Sequence, residues 1–145
     1  MKIIIVIIIV ILSNSLYAQD SCYTSIVFKS KKLQLECLNK KSELDIVATI
    51  KVNKLSIAIE VEIMGLIKHS NFVIIKVDSC RKTESGFEYI YEVEEDDHGD
   101  AELTNGKSIL KISKNNNSYI FDIIPIKKDG CSTKFQVTEY KKSEF

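Results

Sequence analysis

Apolar and polar residues alternate along most of this chain with a period of two. Leu33, Leu35 and Cys37 alternate with Lys32, Gln34 and Glu36. Leu44, Ile46, Ala48, Ile50 and Val52 alternate with Asp45, Val47, Thr49 and Lys51. Leu55, Ile57, Ile59, Val61 and Ile63 interleave with Ser56, Ala58, Glu60 and Glu62. Phe87, Tyr89, Tyr91 and Val93 interleave with Glu88, Ile90, Glu92 and Glu94. Successive side chains of an extended chain point to opposite faces, so each run predicts a strand with one dry face and one wet face. Their β-branched and aromatic content agrees.

Two segments break the alternation. Phe72 to Val77 (apart from Lys76) and Tyr119 to Ile126 (apart from Asp122) are apolar on both faces, which predicts central strands or strands covered on both sides. Shorter strands are expected over Tyr23–Phe28, Ser108–Ser113 and Thr133–Tyr140. Turn residues separate these runs: Asn53-Lys54, Asn105-Gly106, Asn115 to Ser118 and Asp129-Gly130. Residues 44–63, split by Asn53-Lys54, form the clearest hairpin. A second hairpin is expected to turn near Lys29 to Lys31. Gly65 to Asn71 reads as a longer connection, residues 94–107 as a polar loop, and Lys141 to Phe145 as a frayed tail. About eight or nine strands without a helix predict an all-β fold. An antiparallel β-sandwich is the leading expectation and a closed β-barrel the alternative.

The first residues carry a different pattern. Lys2 precedes an apolar run from Ile3 to Leu12, then Ser13, Asn14, Ser15 and the small Ala18. That is the layout of a secretory signal peptide. The run is short of the ~20 apolar residues a spanning helix needs. Residues 1–18 are therefore expected to be a signal peptide, and residues 19–145 a single secreted β-domain, periplasmic or on the outer surface if the source is bacterial. Asp20 and Ser21 precede Cys22, so it lacks the small and aliphatic neighbours of a lipid-anchored cysteine.

An exported chain with four cysteines, Cys22, Cys37, Cys80 and Cys131, is expected to hold two disulfides. No C-x-x-C pair suggests zinc. A hairpin turning at Lys29 to Lys31 would set Cys22 opposite Cys37 and leave Cys80 to Cys131; Cys37 with Cys80 is the competing pairing. Lys and Arg total 20 against 20 Asp and Glu, and Arg81 is the only arginine. That balance argues against nucleic acid and against an anion-clamping site.

Candidate chemistry is sparse. The acidic run Glu94 to Glu102 could supply oxygen ligands, but aligning Gly99 with the invariant EF-hand glycine puts Glu94, His98 and Asn105 at unsuitable positions. Glu88 and Glu92 share a strand face, ~13 Å apart at the strand rise, too far for a glycosidase pair. Glu60 with Glu62 and Glu92 with Glu94 are closer but have no apolar enclosure. His69 and His98 have no nucleophile motif beside them. Phe87, Tyr89 and Tyr91 form a stripe that either lines a ligand site or fills the core. Asn116-Asn117-Ser118 is a glycosylation sequon at Asn116 if the source is eukaryotic. The chain has no tryptophan, unlike an immunoglobulin domain. The expectation is a non-enzymatic, cofactor-free binding module that recognises a protein or glycan. A carrier of a small apolar ligand and a secreted hydrolase are the alternatives. A charged edge at Lys31, Lys32 and Glu36 would favour a monomer.

Overall fold

The computed structural model describes residues 25–96, 106–127 and 130–142. Eight strands run in sequence order: β1 (Ile26–Cys37), β2 (Lys40–Val52), β3 (Ser56–Ile63), β4 (Leu66–Thr83), β5 (Gly86–Glu95), β6 (Lys107–Asn115), β7 (Ser118–Pro125) and β8 (Ser132–Lys142). Each pairs antiparallel with the next, and β8 returns to β1, closing a barrel. The fold is all-β, as the alternation predicts, but the sandwich expectation gives way to the barrel. A sandwich needs open sheet edges, and here β1 and β8 pair from Ile26↔Lys142 to Glu36↔Ser132. Residues 1–18, expected to be a signal peptide, lie outside the described residues, as do Cys22, Tyr23, His98 and most of the acidic run. Among the described residues, no helix is long and apolar enough to cross a membrane.

Several local expectations change for identifiable reasons. Lys29 to Lys31 are not a turn, because β1 continues through them with a bulge between Ser30 and Lys32. The bulge is held from inside. The buried Ser30 hydroxyl lies 2.6 Å from the Gln136 carbonyl and accepts from the Lys32 N–H at 3.3 Å. The stretch from Gly65 to Asn71 is not a long connection. Met64 and Gly65 make a tight turn with φ of 52° and 78°, and β4 starts at Leu66. β4 takes two bulges, between Ile74 and Lys76 and between Val77 and Ser79, which bend it around the barrel wall. Lys141 and Lys142 are not frayed, since they pair with Val27 and Ile26. The β2–β3 hairpin turns where predicted. Asn53 Oδ1 accepts from the backbone N–H of Leu55 at 3.0 Å and of Ser56 at 2.8 Å.

The inward positions fill the bore. One cross-strand row reads Leu33, Phe135, Phe121, Ile112, Tyr89 and Cys80. Another reads Ile26, Val52, Ile57 and Phe72. Phe28 packs on Phe121, ring centroids 6.1 Å apart, and Phe121 meets Phe135 edge-on at 6.0 Å. Phe28, Ile50, Leu110, Ile112, Phe121, Ile123 and Phe135 all have 0% exposure. The outward positions carry cross-strand ion pairs, including Lys29–Glu139, Lys107–Glu92 and Lys111–Glu88. The two segments apolar on both faces fall in β4 and β7, each paired on both sides as a central strand is, but neither is covered on both faces. Val73, Ile75, Ile124 and Ile126 face outward and are exposed.

Candidate functional site

Cys37 and Cys131 are joined, with Cα atoms 4.4 Å apart. They follow directly from the Glu36↔Ser132 pair, so the bond fastens the β1–β8 seam at one rim of the barrel. This corrects both expected partners for Cys37. The favoured Cys22 pairing depended on a turn at Lys29 to Lys31, and that segment is continuous, bulged strand. The Cys80 pairing fails because Cys80 lies toward the opposite rim, across from Tyr89. Cys80 is itself disulfide-bonded.

Beside this disulfide the outer wall holds a groove of about 400 Å³. Gln34, Glu36, Lys41, Glu43, Asp122, Ile124 and Lys134 line it. Strand geometry places them. Register sets Lys111, Asp122, Lys134, Gln34 and Glu43 in one outward row across five strands. Lys111, Asp122 and Lys134 alternate in charge, and the neutral Gln34 separates Lys134 from Glu43. Glu43 accepts from Lys32 Nζ and, at 3.0 Å, from Gln34 Nε2. The Lys32 hydrogen bond, helped by Gln34, holds the Glu43 carboxyl below its ordinary range. Lys41 Nζ reaches Glu36 at 3.5 Å.

Asp122 is the exception. Its Oδ1 is buried without a hydrogen bond, and Lys134 Nζ stands 3.8 Å away. Burial pushes its carboxyl above the ordinary range, against the opposing pull of Lys134 and Lys111. Lys111 is engaged elsewhere, at 2.6 Å from Glu88. The sequence presents Asp122 only as a break in an apolar run, and no spacing signal marks it as part of a groove.

The same rim carries the most exposed apolar residues of the described chain. Leu38 and Met64, at the tips of the β1–β2 and β3–β4 turns, are 87% and 97% exposed. Both have a left-handed backbone, with φ of 47° and 52°. Bulky residues rarely hold this conformation, which normally selects Gly or Asn.

The other sequence-derived candidates scatter. Tyr89 and Tyr91 are buried on the inner face and Phe87 is half-buried there, with the Phe87 and Tyr89 rings stacked 4.6 Å apart. Near them Tyr119 and Tyr140 stack at 5.1 Å, and Lys114 Nζ lies 5.2 Å from the Tyr119 centroid. This aromatic cluster belongs to the rim opposite the Cys37–Cys131 bond. Burial raises the phenol pKa values of Tyr89 and Tyr140. Asn116 is exposed at the β6–β7 turn, with φ of 53°. His69 is in strand β4 rather than a turn, and its Nδ1 is 3.7 Å from Glu60. Glu88 and Glu92 each face a lysine across the strand. Among the described residues, no three His, Cys, Asp or Glu side chains converge as a metal site. No protein family, curated protein or solved structure matches this chain.

Proposed function

We propose that this chain is an exported, disulfide-stapled β-barrel that binds another macromolecule, a protein or a glycan, at the rim holding Cys37 and Cys131. The filled bore is the observation that carries this reading. A side chain touching a void as large as a water molecule has accessible surface. Phe28, Ile50, Leu110, Ile112, Phe121, Ile123 and Phe135 have none. A carrier of a small apolar ligand needs an enclosed chamber of roughly 300–1,000 Å³. The middle of this barrel has side chains in that place, so contact with a partner falls to the outside. The groove and the exposed turns support recognition at one rim.

The other readings find less support. Glu60, Glu88 and Glu92 on the outer wall sit beside His69 or lysines, without the apolar enclosure that prepares an acid–base pair. A membrane-spanning barrel turns its apolar residues to lipid. This one turns them inward and presents Lys29, Lys111, Glu88 and Glu139 outside. The apolar leader and the cysteines fit an oxidising, extracytoplasmic setting.

Two measurements on the secreted protein test the reading. Native mass spectrometry is expected to give the polypeptide mass with two disulfides and any glycan; a reproducible small-molecule adduct would move the assignment to a carrier. A photo-crosslinker at Ile124 in the groove is expected to capture a macromolecule from the native extracellular fluid. The same crosslinker at Lys51, toward the opposite rim, is expected to capture none, and equal capture at both positions would sink the rim assignment.

A further inference from the structure

We infer that the projecting edge of β2 is a self-association surface, on which a second copy of this chain pairs its own β2 antiparallel. β3 ends at Ile63, and its pairing with β2 reaches only to Val47↔Glu62. Residues Lys40 to Asp45 therefore run on past β3, paired with β1 on one side only. Among the described residues, no backbone hydrogen bond satisfies their other side. All six are exposed. An open strand edge is a template for another strand, and natural edges are usually blunted with charge.

Here the charges are arranged so that a copy of the same edge complements them. A two-fold axis through Ser42 sets Lys41 opposite Glu43 of the second copy, and Glu43 opposite its Lys41. Opposed residues in an antiparallel pair share a face, so both contacts join opposite charges. Lys40 then faces Leu44, its aliphatic stem along the partly exposed leucine. Lys41 and Glu43 keep their own partners on β1, Glu36 and Lys32, and gain a second counter-charge. An isologous pairing of this kind closes on itself and cannot grow into a fibre.

The ends of the edge support the same arrangement. Leu38 lies just before it and Met64 just beyond the point where β3 stops. In the two-fold pairing each copy's Leu38 turn is carried against the other's Met64 turn. Two bulky apolar side chains held exposed in left-handed turns would then be covered. The sequence-based reason for a monomer also disappears, because Lys31, Lys32 and Glu36 belong to β1, which is paired on both sides.

So short an edge buries less than the ~1,000 Å² of a stable interface, so the dimer is weak and reversible. Sedimentation velocity of the disulfide-intact mature protein over a concentration series is expected to show a monomer–dimer equilibrium. Lys41→Glu and Glu43→Lys each replace two attractions with two repulsions and weaken association by about tenfold. Mixing the two variants is expected to restore a heterodimer, because every opposed pair is again of opposite sign. Far-UV circular dichroism confirms that both variants keep the fold. A wild-type chain that stays monomeric throughout, or a dimer unchanged by both reversals, or a mixture that fails to recover, would each overturn the proposal. An extended peptide of another protein on this edge would appear as the first of these outcomes.

Discussion

Gly86 lies so close to Lys114 that a Cβ added at Gly86 would sit 1.9 Å from the Lys114 carbonyl oxygen and 2.7 Å from its carbonyl carbon. Both are main-chain atoms fixed by the β5–β6 ladder, where Gly86 pairs with Asn115. Gly86→Ala must therefore separate β5 from β6 where β5 begins. A loss of about 3 kcal/mol is expected by urea denaturation, in the range of overpacked sites. Gly65→Ala is the contrasting case. Its φ of +78° is unfavourable for alanine, but no atom lies within 4 Å, so the cost is about 1 kcal/mol. Equal effects at the two sites would show that strand proximity is not what selects Gly86.

Removing the Cys37–Cys131 bond releases a long loop, since the cysteines are 94 residues apart. In the chain-entropy view a closure of this length stabilises by about 4.7 kcal/mol. Cys37→Ala combined with Cys131→Ala is expected to lose about that much in guanidinium unfolding. Hydrogen exchange should quicken first at the Glu36↔Ser132 end of the seam. Uniform quickening across all strands would contradict a role at the seam.

Two buried serines should respond with opposite sign. Ser30 fixes the β1 bulge through its hydrogen bonds to Gln136 and Lys32. Ser30→Ala strands those groups and is expected to cost about 1–2 kcal/mol. Ser108 Oγ is buried and has no hydrogen bond. Ser108→Ala removes an unsatisfied hydroxyl and is expected to be neutral or to stabilise by about 1 kcal/mol. Thermal unfolding of the pair, run side by side, checks both signs.

The groove should give stability an unusual dependence on acid. Burial raises the Asp122 pKa in the folded chain above its unfolded value. The folded state then holds this proton more tightly, so the Asp122 contribution falls as pH rises through the raised value and is fully unfavourable at neutral pH. Asp122→Asn is expected to be more stable than the parent near pH 7, with the difference vanishing in acid below the ordinary carboxylate range. Glu43 runs the other way. Its lowered pKa, due first to Lys32, gives stability that is present at neutral pH and lost as pH falls. A thermal-shift series of Asp122→Asn, Glu43→Gln and the parent across acid and neutral pH separates the two slopes.

The strands were legible because inward and outward residues alternate, as in Leu44 to Val52 and Leu55 to Ile63. Closure was not, because that alternation is the same whether the last strand meets the first or stops at an edge. The disulfide followed the same blind spot. Cys37 and Cys131 become neighbours only through the β1–β8 ladder, a contact between distant parts of the chain. Lys29, Lys31 and Lys32 resembled a turn because a bulge puts consecutive lysines on the wet side of one strand. The apolar stretch from Phe72 to Val77 suggested cover on both faces. Phe72 is buried, while Val73 and Ile75 remain exposed. Asp122 entered the groove through register with Lys111 and Lys134, which sequence spacing does not reveal.

The seam also sets how the molecule would bear tension. Ile26 and Lys142 face each other at one end of the β1–β8 ladder, and Cys37 and Cys131 are bonded at the other. A pull applied at Ile26 and Lys142 loads the ladder like a zip, opening one cross-strand pair after another at low force. The opening stops at the sulfur bridge. Everything between Cys37 and Cys131 is shielded, because the covalent link carries the load in place of the hydrogen bonds. The barrel would yield by a fixed, short extension and then hold.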